Sequence, residues 1–310
     1  MPFFRKVTPQ QRAAREAEEA RDAASRAALE QGGLPLRAQE RLAQERNPDG
    51  RPRIWTSDLS VSEWLTSRSV GFEPISQVLG ASMYHLAYNM NQWGRWNTGE
   101  IAMFSQALYH ARSLALGRLL QEATALGAHG VIGVRLEHKE YEWGWNLLEF
   151  SALGTAVRLQ NWPGTLPQPF TSDLSGQEFL KVLQAGYVPA ALAMGCVAYY
   201  ISPNWQDRMA RQSWVNQEMQ GFTQAVYAAR HLAFTRLAED ARGFQAEGVI
   251  GSDIHMQVKR VAGANDNNAY DRYIVEFFAF GTAISEVSQA HARVNPQLVL
   301  DLEDKSPRKG

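Results

Sequence analysis

The sequence predicts an α+β fold: two tandem β-α-β-β units, each a small antiparallel sheet carrying one long helix, preceded by an N-terminal helical arm. Three observations predict it. Residues 104–133, FSQALYHARSLALGRLLQEATALGAHGVIG, return in altered form at 222–251 as FTQAVYAARHLAFTRLAEDARGFQAEGVIG. Within each copy the apolar residues first recur at three- and four-residue spacing, which is the period of a helix buried along one face. Short β-branched and aromatic runs then follow, separated by polar, turn-forming residues, which is the signature of strands.

The elements follow in order. Thr8-Pro9-Gln10-Gln11 is a helix start, and Gly32-Gly33 is a helix stop. Alanines 13, 17, 20, 24, 27 and 28 make a narrow seam between charges, which buries little apolar area. LPLRAQERLAQER (34–46) predicts a second short helix. TSDLS occurs at 56–60 and again at 171–175. Ser60 with Glu63, and Ser175 with Glu178, have the spacing of a capping box, so helices are predicted to start at both places. Gly80 and Gly195 fall inside the strands that follow, where a glycine marks a bulge or a close backbone approach.

The long helices carry the stripe Phe104, Ala107, Ala111, Leu114, Ala115, Leu119, repeated as Phe222, Ala225, Ala229, Leu232, Ala233, Leu237. Gly127 is suited to ending the first. The second copy has Gln245 there, which predicts a different ending. Strands are predicted at 130–138 and 147–157, and at 248–256 and 274–284. The polar run 262–271 between the last two is predicted to be a hairpin tip. Trp96 and Trp214 recur at the same place, which predicts packing of the segment before each long helix onto the core. Trp93, Trp143 and Trp145 do not recur and suit an aromatic contact surface. The predicted organisation is an arm at 1–53, units at 54–160 and 171–287, and a tail at 288–310.

Composition narrows the function classes. The 310 residues carry 31 Lys and Arg against 32 Asp and Glu, a formal charge of −1, which gives no basic surface for nucleic acid. Cys196 is the one cysteine, so no intrachain disulfide forms and a reducing, cytoplasmic setting is expected. No charge occurs between Lys181 and Asp207. Pro189, Gly186 and Gly195 interrupt that run, however, and its first-copy counterpart is polar. A buried strand is therefore predicted rather than a membrane span. No nucleophile elbow or phosphate loop is present, so a non-enzymatic protein is expected.

The pattern Tyr-x-Ala-Arg-x-Leu-Ala, then Arg-Leu, Gly-Val-Ile-Gly and Glu-Phe-x-x-x-Gly-Thr-Ala, at 109–133 with 149–156 and at 227–251 with 276–283, resembles the YbjQ-like family, to which heavy-metal binding is attributed. The resemblance implies a dodecin-like subunit that assembles into rings, pentameric in single-domain relatives. It leaves out the arm and the tail. The sequence gives the metal little support. None of the histidines at 85, 110, 129, 138, 231, 255 and 291 matches a histidine in the other copy, and no ligand spacing occurs. Two of them, His129 or His138 especially, could still meet in space. The cofactor and the metal ligands stay unknown.

The polar residues that both copies share are the candidate site: Gln106, Tyr109, Arg112 and Glu149, with Gln224, Tyr227, Arg230 and Glu276. Arg118 with Arg236, and Thr155 with Thr282, are shared as well. Tyr109 and Arg112 are neighbours on a helix surface, and Glu149 lies on a strand predicted to run beneath it. An arginine–glutamate pair there would orient helix on sheet or lock a subunit contact. The same residues suit a pocket for a carboxylate or phosphate. A three-stranded sheet under one helix has exposed edges and a bare second face, which predicts a neighbour. The expected partners are further copies of the chain, and a protein recruited through residues 1–53. The expected role is an oligomeric scaffold or small-ligand binder, with heavy-metal binding as the alternative.

Overall fold

A computed structural model describes residues 8–45, 54–85, 98–141, 147–160, 168–261 and 272–286. The predicted contact tryptophans 93, 143 and 145, Trp96, His291, the hairpin tip at 262–271 and the tail at 288–310 lie outside them. The described elements are α1 (Pro9–Glu30), α2 (Leu36–Glu45), α3 (Val61–Ser69), β1 (Phe72–His85), β2 (Gly99–Glu100), α4 (Ala102–Ala125), β3 (Gly130–Tyr141) and β4 (Leu147–Leu159). They continue as β5 (Phe170–Thr171), α5 (Gly176–Gln184), β6 (Tyr187–Ile201), α6 (Trp205–Gln212), α7 (Gln220–Gly243), β7 (Gly248–Val261) and β8 (Arg272–Glu286).

The capping boxes form as their spacing requires. Thr8, Ser60 and Ser175 each accept a bond from the backbone three residues on, and Gln11, Glu63 and Glu178 reach back to the cap. The centre of the Lys181–Asp207 run, Tyr187–Ile201, forms strand β6. Among the described residues, no helix is long and apolar enough to cross a membrane.

The strands form two four-stranded sheets in which the three long strands of each copy are antiparallel, the last of them (β4 or β8) lying between the other two, with a two-residue strand on one edge. The orders are β1-β4-β3-β5 and β2-β6-β8-β7. The short edge strands are exchanged. β5, which precedes the second copy's capped helix, pairs in parallel with β3 through Gly130–Phe170 and Val131–Thr171. β2, which precedes the first copy's long helix, pairs with β6 through Gly99–Tyr200 and Glu100–Tyr199.

Each long helix crosses its own sheet at a glycine. A Cβ at Gly80 would overlap the carbonyl oxygen of Ala115, and a Cβ at Gly195 that of Ala233. These are the close approaches the sequence suggested, while the strand irregularities sit further back, at Pro74/Ser76 and Pro189/Ala191. Of the predicted stripe, Phe104, Ala111, Ala115 and Leu119 are buried and Leu114 is half-buried. Its repeat buries Ala225, Ala229, Ala233 and Leu237.

The expected difference in helix endings is not found. Gly127 (φ 69°) and Gln245 (φ 57°) both adopt the left-handed conformation. The next amide then closes the same turn, Ala128 onto Ala123 O and Ala246 onto Ala241 O. Tertiary docking of the following strand holds a side-chain-bearing residue where glycine is preferred, at a cost of about 1–2 kcal/mol.

The two copies stack as sheet, helix, sheet, helix. The inner face of the second sheet (Val197, Val275, Phe277) packs on α7 through Ala225, Ala229 and Ala233. Its outer face (Met194, Cys196, Phe278) packs on α4 and the first sheet through Phe104, Leu108, Leu148 and Phe150. Helix α4 is therefore sandwiched between its own sheet and its neighbour. The bare second face expected of a lone unit is covered in the second copy. Outside the stack, α5 docks on the first copy, burying Phe179 against Phe72 with ring centroids 5.0 Å apart.

Candidate functional site

Four of the shared polar residues, Tyr109, Arg112, Arg118 and Arg236, reach strand edges. Beyond its short pairing with β2, the edge of β6 facing away from β8 carries backbone groups that its own sheet leaves unpaired. Helix α7 of the same copy supplies two bonds: Met194 N donates to the Asp240 carboxylate at 2.8 Å, and Arg236 donates to Cys196 O at 3.0 Å. Helix α4 of the other copy supplies the rest. Arg112 donates to Leu192 O at 2.8 Å, and Tyr109 Oη donates to Met194 O at 3.3 Å while accepting from Cys196 N at 3.2 Å. Ala198 N donates to Ser105 Oγ at 3.1 Å, and Ile101 N donates to Ala198 O at 2.8 Å.

Two ion pairs cross the same junction. Arg112 meets Asp240 at 3.2 Å, and Arg236 meets Glu100 at 2.7 Å. Arg112 is 6% exposed, so its charge depends on the Asp240 carboxylate and the Leu192 carbonyl to offset desolvation. Burial raises the Tyr109 phenol well above its ordinary range and pushes the Cys196 thiol up to about 12. Both groups are therefore held in their neutral, hydrogen-bonding form here.

A second belt surrounds the repeated TSDLS segment. Thr282 donates to the Asp173 carboxylate, and Ser172 shares a 3.0 Å bond with the same threonine. Ser172 N donates to Val131 O, and Val134 N donates to Ser172 O, extending the β5–β3 ladder between copies. Ser57, Asp58 and Thr155 repeat the side-chain half of this belt in the first copy.

Burial pushes the Asp173 carboxyl up to about 6 from an ordinary 3.8. The native chain therefore holds a proton that the unfolded chain releases earlier. The stability this provides is complete below about pH 4 and is lost as pH rises through 6. The shift corresponds to at most about 3 kcal/mol, and to less for a carboxyl that is partly solvated. Urea denaturation of wild type and Asp173→Asn at pH 4.5 and pH 7.5 is expected to show the variant gaining on wild type at the higher pH.

The structure redistributes the predicted site. Tyr109 and Arg112 do lock a contact, but their partners are β6 and Asp240 rather than a glutamate beneath the helix. Glu276 is fully buried and pairs with Lys259 at 2.6 Å. The predicted pair of Arg112 with Glu149 is corrected, because Arg112 reaches across to Leu192 O and Asp240 of the second copy. Glu149 is half-buried on β4, opposite Met83 and Lys139. Gln106 and Gln224 are exposed. Tyr227 is 63% exposed, and Arg230 is exposed with its guanidinium 5.4 Å from the Phe234 ring. Trp214, expected on the core, is fully exposed.

Sequence matching missed Glu122 with Asp240, and Ser105 with Thr223. These pairs keep chemistry but not identity at an offset of 118, so a comparison by charge and hydroxyl would have found them. Glu122 accepts from Leu79 N at 3.0 Å, and Arg118 donates to Ala81 O at 2.6 Å, as Asp240 and Arg236 do in the second copy.

His138 meets His255 across the copies, with ring centroids 6.0 Å apart, in a cavity of about 290 Å³ that Phe150, Phe278 and Phe280 also line. His129 is buried and accepts from Leu159 N at 2.9 Å. Among the described residues, no group of three His, Cys, Asp or Glu side chains converges closely enough to hold a metal ion. The donor set there does not fit a heavy-metal site, which needs three or four such ligands at close range.

A stacked pair of β-α-β-β copies, with shared polar residues closing strand edges, defines a duplicated α+β protein organised around joints between copies. The family profile described as "Putative heavy-metal-binding" matches residues 89–160, within the first copy. An encapsulin nanocompartment protein of Mycobacterium tuberculosis is 35% identical over 255 residues, covering 81% of this chain and 93% of the relative. UPF0145 proteins of Halobacterium salinarum (34% over 105 residues, 31% of this chain and 98% of theirs) and Thermus thermophilus (42% over 62 residues, 20% and 53%) are also similar. The chain belongs to the YbjQ-like family.

Proposed function

We propose that the chain is a non-enzymatic scaffold that assembles head to tail with further copies of itself. One observation carries this reading: the junction between the copies is used once inside the chain, and its two complementary halves recur at the ends, one exposed on the second copy and the other only partly covered, by the N-terminal arm, on the first. On the second copy, Thr223, Tyr227 and Arg230 occupy the positions of Ser105, Tyr109 and Arg112, and Tyr227 is exposed. The strand that would match β3 under β5 is β7, where Val249 is half-buried and Ser252 exposed, against 0% and 2% exposure for Val131 and Val134.

On the first copy, the outer sheet face shows Leu79 at 47% and Met83 at 55% exposure, against 1% and 0% for their counterparts Met194 and Ala198. Trp64, the counterpart of the fully buried Phe179, is half-buried and stacks on Trp55, which is itself 52% exposed. Exposed apolar surface of this kind marks a protein contact. A face that differs from its complement generates a ring when the rotation closes. The relative named an encapsulin nanocompartment protein supports a role built on assembly.

Sedimentation velocity across a dilution series tests the reading. The full chain is expected to form multiples of its own mass, and Tyr227→Lys to raise the half-association concentration at least about 30-fold, as loss of a buried aromatic anchor does. A single chain at every concentration, unchanged by the substitution, defeats it.

A second reading, small-ligand binding, is favoured by the cavity that places His138 and His255 among phenylalanines from both copies. A ligand co-purifying with the wild type and lost from Phe278→Ala would support it.

A further inference from the structure

We infer that the N-terminal arm is a built-in competitor for the open half-site on the first copy, so that assembly requires its release. The inference rests on the head-to-tail reading and concerns how that joint is controlled. It comes from comparing what binds two equivalent side-chain pairs. In the second copy, the edge-capping residues Arg236 and Asp240 use their remaining hydrogen-bonding capacity across the junction. Arg236 binds Glu100, and Asp240 binds Arg112, both from the first copy.

The same positions in the first copy are Arg118 and Glu122. Their counterpart ligands, Glu218 and Arg230, would have to come from a neighbouring chain. In the single chain the arm stands there instead. Arg118 Nε donates to Gly33 O at 3.2 Å, and Arg41 binds the Glu122 carboxylate at 2.7 Å. A carbonyl replaces the carboxylate of Glu218, and one guanidinium replaces another. Glu122 also receives Leu79 N on its second oxygen, so both oxygens are engaged while the arm is seated.

The attachment is built to be reversible. Between Gly32 and Glu45 the arm buries Leu34 and Leu42 against Ile75, Val78, Leu119 and Ala123. Gln121 adds a 3.2 Å bond to Gly32 O. The 22 residues of α1 bury none of their side chains, and the arm's two helices are tied by Arg21–Glu40 on the surface. A segment with so few apolar contacts opens locally at low free energy. Its tether nevertheless gives it a high effective concentration against an incoming chain.

A site that is competent only while the arm is off has its affinity reduced by the open fraction. Freeing the arm should therefore tighten assembly without any new contact to the neighbour. Arg41→Ala and Arg41→Glu in the full chain test this by sedimentation velocity over a dilution series. Hydrogen exchange at Leu36–Glu45 is read in the same samples.

Half-association is expected at about 5- to 10-fold lower concentration for Arg41→Ala, and lower still for Arg41→Glu, whose charge is repelled by Glu122. In wild type, exchange in α2 should rise as the chains associate. If wild type associates but the Arg41 variants match it or associate more weakly, and α2 stays equally protected, the competitor role is overturned while the assembly reading stands. If neither wild type nor the variants associate, both readings fail, because the arm then guards nothing.

Discussion

Gly195→Ala is expected to abolish the native fold or to destabilise it by at least about 3 kcal/mol, measured by urea denaturation and by the soluble fraction on expression. The added methyl has nowhere to go: at Gly195 it meets the Ala233 carbonyl oxygen and the Leu237 amide, both inside α7. Backbone cannot swing aside as a flexible side chain can. The helix must therefore lift from its sheet and separate Ala229 and Ala233 from Val197 and Phe277, or the strand must buckle. Gly80→Ala should behave alike against Ala115 and Leu119. A substitution of either glycine that left the midpoint within experimental error would mean that helix and strand do not cross there.

Arg112→Ala is expected to cost about 2–3 kcal/mol, because it leaves the Leu192 carbonyl without its donor and the Asp240 carboxylate, which is 27% exposed, with the Met194 amide but no cation. Its counterpart Arg230→Ala should leave the stability of the dilute chain within about 0.5 kcal/mol, since Arg230 is exposed. The contrast is informative because the two arginines are equivalent in sequence and differ only in whether the next copy is covalently present. Equal effects on a dilute, unassociated chain would contradict the placement of Arg112 at the junction.

The elements were legible because their signals are local. Capping boxes at Ser60 and Ser175, the alanine-rich stripe and the glycine-marked strands each depend on residues within one turn or one strand. What escaped was set at a distance. Gln245 takes a left-handed turn because the strand after it must dock, which no neighbouring residue announces. The pairing of Arg112 was misassigned because helical periodicity shows which residues share a face but not which neighbour that face meets. Glu149 looked like the arginine's partner since both recur, yet recurrence marks a shared role within a copy and does not identify a contact. The exchange of β2 and β5 was invisible for a similar reason: two residues carry no periodicity, and their strand identity comes entirely from the edge they complete.

The fusion of two copies through one internal joint also constrains arithmetic. Any closed circle built from whole chains counts its sheets in pairs. In the head-to-tail assembly proposed above, an odd number of copies is therefore closed to a circle, and the steps in size are twice those of a circle built from single copies. Odd and even positions around such a circle are chemically distinct, one bearing an arm and the other a tail, so decoration can alternate where a one-copy ring must be uniform.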